Sequence, residues 1–133
     1  MVVYDTYAWI EYFLGSDKGS KVRKLLKEGG YTPSIVLAEI SRKYLGEGIS
    51  PEIVRKRLLF IETKTEIVCI TVEIALKAGE IYLELLQLSG RIKERRPSLA
   101  DAIVYSTALL LNTDLVTGDK LFRNLPHVLY IGD

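Results

Sequence analysis

Short β-type runs alternate with helical stretches along this 133-residue chain, and the alternation predicts an α/β fold with a mainly parallel sheet of four to five short strands. Three observations carry that expectation. The β-type runs are short and separated by helices. The stretches between them show helical periodicity with clear start and stop signals. No Pro/Gly/Ser-rich linker breaks the pattern, so residues 1–133 are read as a single domain.

Val2 to Tyr4 form the first strand, which stops at Asp5. An aromatic-rich helix follows, with Trp9, Tyr12 and Phe13 at spacings that share a face. A second helix, about Lys18 to Lys27, stops at Gly29 and Gly30. Tyr31 and Thr32 make a brief strand, after which Ser34 is expected to cap a helix reaching about Gly46. Ser50-Pro51-Glu52 combines a cap, a proline at the first helical position and an acid in the first turn, with Val54, Leu58 and Ile61 as the buried stripe. Ile67 to Ile70 read as a buried strand, which makes Cys69 a small core residue. Thr71 opens a long helix with Ile74, Ala78, Ile81, Leu85 and Leu88 at helical spacing. Ser98 starts the last long helix, ending near Asn112, and Leu115–Thr117 and Val128–Ile131 supply two further strands.

Composition excludes several classes. Apolar residues are 48% and charged residues 26% of the chain, as in folded globular domains rather than disordered ones. A single cysteine rules out an internal disulfide or a multi-cysteine zinc site and suits a reducing compartment. The longest apolar stretch, Ala102 to Leu111, is about half of what a membrane-spanning helix needs. The apolar N-terminus is interrupted by Asp5 and Glu11 with no basic stretch before it, unlike a signal peptide, so a cytoplasmic protein is expected. With 18 Lys and Arg against 17 Asp and Glu, the net charge of +1 argues against a polycation that coats nucleic acid.

In parallel sheets the site lies beyond the carboxyl ends of the strands, and acids stand there. Asp5 directly follows the first strand, and Asp119 follows Leu115–Thr117 across one glycine. Glu39 and Asp101 lie near the N-terminal ends of helices, where the helix dipole favours negative charge. Each has an ordinary reading. Asp5 and Asp119 suit N-caps, Ser98-x-x-Asp101 suits a capping box, and Glu39 is spaced to pair with Arg42 or Lys43. Asp101, however, is the only charge from Ser98 to Leu111, in a helix apolar on almost every side, and a buried charge needs compensation. Glu39 stands one turn after Ile35 and Val36, also on an apolar flank. Asp114 begins its strand, so it points to the opposite end of the sheet. Clustered carboxylates raise one another's pKa unless cations join them, and all-oxygen ligands select Mg²⁺ or Mn²⁺ over zinc. Two such ions, about 4 Å apart, would bind the attacking and leaving oxygens of an in-line phosphoryl displacement without a histidine base.

At these residues the sequence resembles the PIN-domain nucleases, most closely the small toxin ribonucleases of the VapC type. The resemblance runs in order through Asp5-Thr6, "SIVLAEI" with Glu39, "PSLADAIVYSTAL" with Asp101 and "LVTGDKLF" with Asp119. It implies a three-layer α/β/α sandwich and Mg²⁺- or Mn²⁺-dependent hydrolysis of RNA phosphodiester bonds, with one or two ions. Asp5, Glu39, Asp101 and Asp119 would be the catalytic, metal-binding set, with Thr6, Ser98 and Thr117 as orienting hydroxyls beside them. It also implies a small antitoxin partner that blocks the cleft through a basic side chain. Two positions depart from the pattern: Tyr7 stands where a small residue is common, and Leu121 where many relatives carry another acid.

Other residues have secondary roles in this reading. Arg91, Lys93, Arg95 and Arg96, joined by Lys120, are expected at the rim of the acidic cleft as contacts for RNA phosphates, the competing reading being a solvated surface. Trp9, Tyr12 and Phe13 exceed what one small core covers, so part of that face is expected in a homodimer contact. His127, between Pro126 and Val128, is read as structural. Haloacid-dehalogenase-like phosphatases are disfavoured because the second acid they need falls on Tyr7, and receiver domains because their paired acids are missing. An RNA-processing nuclease without an antitoxin, and a non-catalytic binding or scaffold module, remain as alternatives.

Overall fold

The computed structural model describes residues 1–92 and 95–133. In chain order the elements are β1 (Val3–Tyr4), α1 (Thr6–Leu14), α2 (Asp17–Leu26), β2 (Tyr31–Pro33), α3 (Ser34–Gly46), α4 (Pro51–Lys64), β3 (Glu66–Val68), α5 (Val72–Ile92), α6 (Leu99–Leu110), β4 (Leu115–Thr117) and β5 (Val128–Tyr130). A short 3-10 turn, Lys120–Phe122, links the last two strands. The strands form one five-stranded sheet in the order β3-β2-β1-β4-β5, with every pairing parallel and helices flanking the sheet. None of the described helices is long and apolar enough to cross a membrane.

The strand order places the site. β1 lies at the centre, registered against β2 (Val3 opposite Tyr31) and β4 (Tyr4 opposite Val116). The chain leaves β1 towards β2 on one side, while β4 and β5 occupy the other, so order reverses between β1 and β4. Such a reversal opens a crevice at the carboxyl edge of the sheet. Val3, Tyr4, Leu115 and Val116 are fully buried, so the two strands beside the crevice are rigid. Because α6 feeds a strand parallel to the others, its N-terminus lies at that same edge.

Trp9 anchors the core beneath. Its indole N–H donates to Thr32 Oγ1 at 3.1 Å, and Thr32 and Thr65 hydroxyls meet at 2.7 Å, so these buried polar atoms are paired. Of the α1 aromatics Trp9 is fully buried, while Tyr12 and Phe13 are half-buried against α4. Phe60 of α4 stacks on Tyr12 at 5.6 Å and packs edge-on to Trp9 and Phe13, while the Arg57 guanidinium covers Tyr44 at 4.4 Å.

Three local expectations are corrected. Ser34 is the first residue of α3 and not its cap; the cap position is Pro33, with no side-chain hydrogen bond. The strand expected at Ile67–Ile70 is Glu66–Val68, at the edge of the sheet and only half covered, with Ile70 48% exposed. Cys69 is consequently exposed, not a core residue. His127 adopts a left-handed backbone (φ 58°) in its loop, with Asp114 3.9 Å away at the end of the sheet opposite the crevice.

Candidate functional site

Asp5, Glu39, Asp101 and Asp119 all line a single cleft of about 420 Å³ at the β1–β4 crevice. Each reaches it through a local structural job. Asp5 is the N-cap of α1, its Oδ1 accepting from the Ala8 N–H at 2.9 Å. Asp101 completes a capping box, accepting from the Ser98 N–H at 2.7 Å while its own N–H donates to Ser98 Oγ at 3.1 Å. Asp119 caps the 3-10 turn through Leu121 N–H at 2.9 Å, and its own N–H donates to Thr117 Oγ1 at 3.1 Å. Glu39, in the second turn of α3, accepts from the Thr6 hydroxyl at 2.7 Å and makes no pair with Arg42 or Lys43. The ordinary reading and the functional reading of these acids therefore describe the same atoms. Capping is what aims three of the four carboxylates.

Electrostatically the cleft is short of positive charge at its floor. Asp5 is only 7% exposed, and its carboxyl is pushed from the ordinary 3.8 up to about 7. Burial is the main cause, with the charges of Asp119 and Glu39 adding to it; hydrogen bonds from Thr117 and Ala8 oppose the shift.

Arg95 departs from the expectation of a rim contact for phosphate. Its guanidinium lies in the cleft, bridging two of the four acids. Nη1 and Nη2 donate to the two Asp101 oxygens at 2.7 and 2.8 Å, and Nε and Nη2 donate to Asp119 Oδ2 at 3.1 and 2.6 Å. Arg95 is thus the compensating charge that Asp101, with a side chain 13% exposed, requires. Arg96 and Lys120 are exposed and do not line the cleft. The Arg91 side chain and Lys93 lie outside the described residues.

The family model of the PIN domain matches residues 2–128. The chain belongs to the PIN-domain family. No curated protein matches its sequence. Among solved structures, a toxin–antitoxin complex from Klebsiella pneumoniae superposes with a TM-score of 0.74 at 20% identity, covering 100% of this chain and 99% of that one. VapBC2 from Rickettsia felis, bound to a DNA fragment from its promoter, gives 0.72 at 22% identity, covering 98% and 97%. VapBC-1 from nontypeable Haemophilus influenzae gives 0.72 at 18%, covering 98% of each chain. The fold expected from the sequence is the fold of these chains.

The walls of this PIN domain's cleft include Ile10 and Glu11, to which the sequence reading gave no place in the site, beside Tyr7. Ile10, Glu11 and Tyr7 line it from one face of α1, at the i, i+3 and i+4 spacing that brings side chains together. Glu11 was discoverable, because it is the only charge in α1. Tyr7 lines the cleft with its ring against Gly118, where a Cβ would overlap it. Lys18 holds the Tyr7 hydroxyl at 3.1 Å and is itself paired with Asp133. Lys43 lines the cleft while its ammonium pairs with Glu47 at 2.8 Å.

By donor chemistry the cleft suits a hard divalent cation: its acids offer only oxygen, and the buried Asp5 lacks a counter-charge. By arrangement it is not preassembled. Among the described residues no three acidic, histidine or cysteine side chains stand together as a metal cage. In this arrangement Arg95 bridges Asp101 and Asp119, and the Thr6 hydroxyl orients Glu39.

Proposed function

We infer that this chain is a divalent-metal-dependent ribonuclease, the toxin of a toxin–antitoxin pair. The observation that carries the reading is the convergence of Asp5, Glu39, Asp101 and Asp119, from four separate stretches of chain, on one cleft at the switch point of the sheet. PIN-domain membership supports nuclease chemistry, and the structural neighbours, which are toxin–antitoxin complexes, support a small protein antitoxin as partner.

Asp5, Glu39, Asp101 and Asp119 would hold Mg²⁺ or Mn²⁺. When bound, such a cation supplies Lewis-acid stabilisation of a phosphate oxygen and acidifies water at neutral pH. The chain's own residues do the rest. Thr6 fixes the rotamer of Glu39, Ser98 that of Asp101, and Thr117 the turn that presents Asp119. Ile10, Val104 and Phe122 give the cleft apolar walls, which strengthen the field of the acids on a bound phosphodiester.

Cleavage of a mixed RNA pool by protein freed of any partner tests the reading. Cleavage is expected with Mg²⁺ or Mn²⁺, and a loss of at least about a hundredfold in Asp5→Asn and in Asp101→Asn, the scale on which loss of an electrostatic group lowers rate. Undiminished cleavage by both variants, or none by the partner-free wild type, would refute it.

A further inference from the structure

Arg95 is engaged more completely than a surface arginine needs to be. A guanidinium carries five N–H donors in a fixed fork. Four meet carboxylate oxygens of Asp101 and Asp119, and the fifth, on Nη1, meets the Arg96 carbonyl at 3.2 Å. No donor remains for a phosphate. The two carboxylates it spans come from different elements, the N-terminus of α6 and the loop after β4, so the planar fork reads their relative position.

We propose that Arg95 is a built-in competitor for the divalent cation: its guanidinium occupies the cation position between Asp101 and Asp119 and must swing out before a metal ion can bind there. The inference rests on the reading of the cleft as a metal site. Charge balance favours the exchange. One guanidinium contributes a single positive charge to a cleft that holds Asp5, Glu11, Glu39, Asp101 and Asp119, whereas a divalent ion contributes two. Loss of its own proton does not release the arginine, since the guanidinium stays charged. Only a competing cation, or a basic side chain from a partner, takes its place. The way out is open, because the Arg95 side chain is 45% exposed and an ion pair reachable by solvent exchanges readily. The arginine thus keeps the acids compensated and the site closed to weakly held or scarce metal.

The test is calorimetric titration of the chelator-treated full chain with Mn²⁺, comparing wild type, Arg95→Gln, Arg95→Lys, Arg96→Gln and Asp101→Asn, with melting temperature followed alongside. Arg95→Gln is expected to bind Mn²⁺ about tenfold or more tightly than wild type, within the usual range of coupling between competing ligands. Arg95→Lys should fall between, since a point charge cannot span both carboxylates, and Arg96→Gln should match wild type. Without metal the Arg95→Gln protein should melt lower, and Mn²⁺ should raise its melting temperature by more than it raises that of wild type. Equal or weaker Mn²⁺ affinity in Arg95→Gln, with wild-type binding abolished by Asp101→Asn, overturns the competitor role and leaves the metal site standing. Mn²⁺ affinity that Asp101→Asn leaves unchanged, or no binding by any variant, overturns the site itself and the competitor with it. A merely structural arginine would lower the melting temperature but would not raise the affinity.

Discussion

At the scale of single residues, the cleft is built from side chains that hold one another. Thr6 shows this most simply, because its hydroxyl donates to Glu39 Oε1 at 2.7 Å and the two residues lie on different helices. Thr6→Val keeps the shape and removes the donor, so Glu39 loses its orientation while the helix that carries it is untouched. Mn²⁺ affinity is expected to fall by about ten- to a hundredfold, as for other residues that orient a ligand, with little change in melting temperature. Titration and thermal melting of the same sample check both halves, and unchanged affinity would show that Glu39 needs no such partner. The acids were legible in the sequence because strand ends and helix starts were legible: Asp5, Asp101 and Asp119 occupy them, and Glu39 lies one turn further into α3. The position of Arg95 was not. A charged run before a helix reads equally as solvated surface, phosphate rim or counter-ion, and only the packing of α6 beside β4 brings residue 95 within reach of both Asp101 and Asp119.

At the scale of elements, local signals located helices better than strands. Ser50-Pro51-Glu52 starts α4 as read, with Ser50 Oγ accepting from the Ile53 N–H, and Ser98 starts α6 as read. Helix caps are settled by hydrogen bonds within four residues, so the sequence contains them. A three-residue strand is different: whether it is central or at an edge depends on partners far along the chain. Ile67-Val68-Cys69-Ile70 has the composition of a central strand, yet β3 lies at the margin with only β2 beside it. Cys69 follows this strand and faces solvent. A thiol reagent such as dithionitrobenzoate should therefore titrate Cys69 in the native protein at a rate within about tenfold of that in denaturant, since access governs thiol reactivity. Protection by several orders of magnitude would restore the core assignment and contradict the edge position of β3.

At the scale of the whole molecule, the near balance of charge conceals segregation. Setting aside the five acids and two bases that line the cleft leaves 12 acidic residues against 16 basic ones, so the rest of the chain is mildly basic around an acidic cleft. Gathering those acids costs stability, and the structure shows two forms of relief: Arg95 on Asp101 and Asp119, and a proton retained on Asp5 to about pH 7. The second has a definite sign. Asp5 in the folded chain holds its proton from its ordinary 3.8 up to about 7, whereas the unfolded chain releases it at the lower value. Across that window the folded state binds more protons, so metal-free stability falls as pH rises from about 4 to 7 and levels off above. At 1.36 kcal/mol per pH unit the Asp5 contribution is at most ~4 kcal/mol. Asp5→Asn keeps an Oδ1 acceptor for the Ala8 N–H and carries no charge, so it should remove this slope. Chelator-treated Asp5→Asn is expected to match wild type near pH 4 and to melt several degrees higher at pH 8, the gap opening between those values. Saturating Mn²⁺ should close the gap from the wild-type side, because a bound cation relieves the same buried charge. Denaturation curves from pH 4 to 8, with and without metal, measure it. A gap that is absent at pH 8, or that widens towards acid, would mean that Asp5 is charged in the apo fold and that its compensation comes from elsewhere in the cleft.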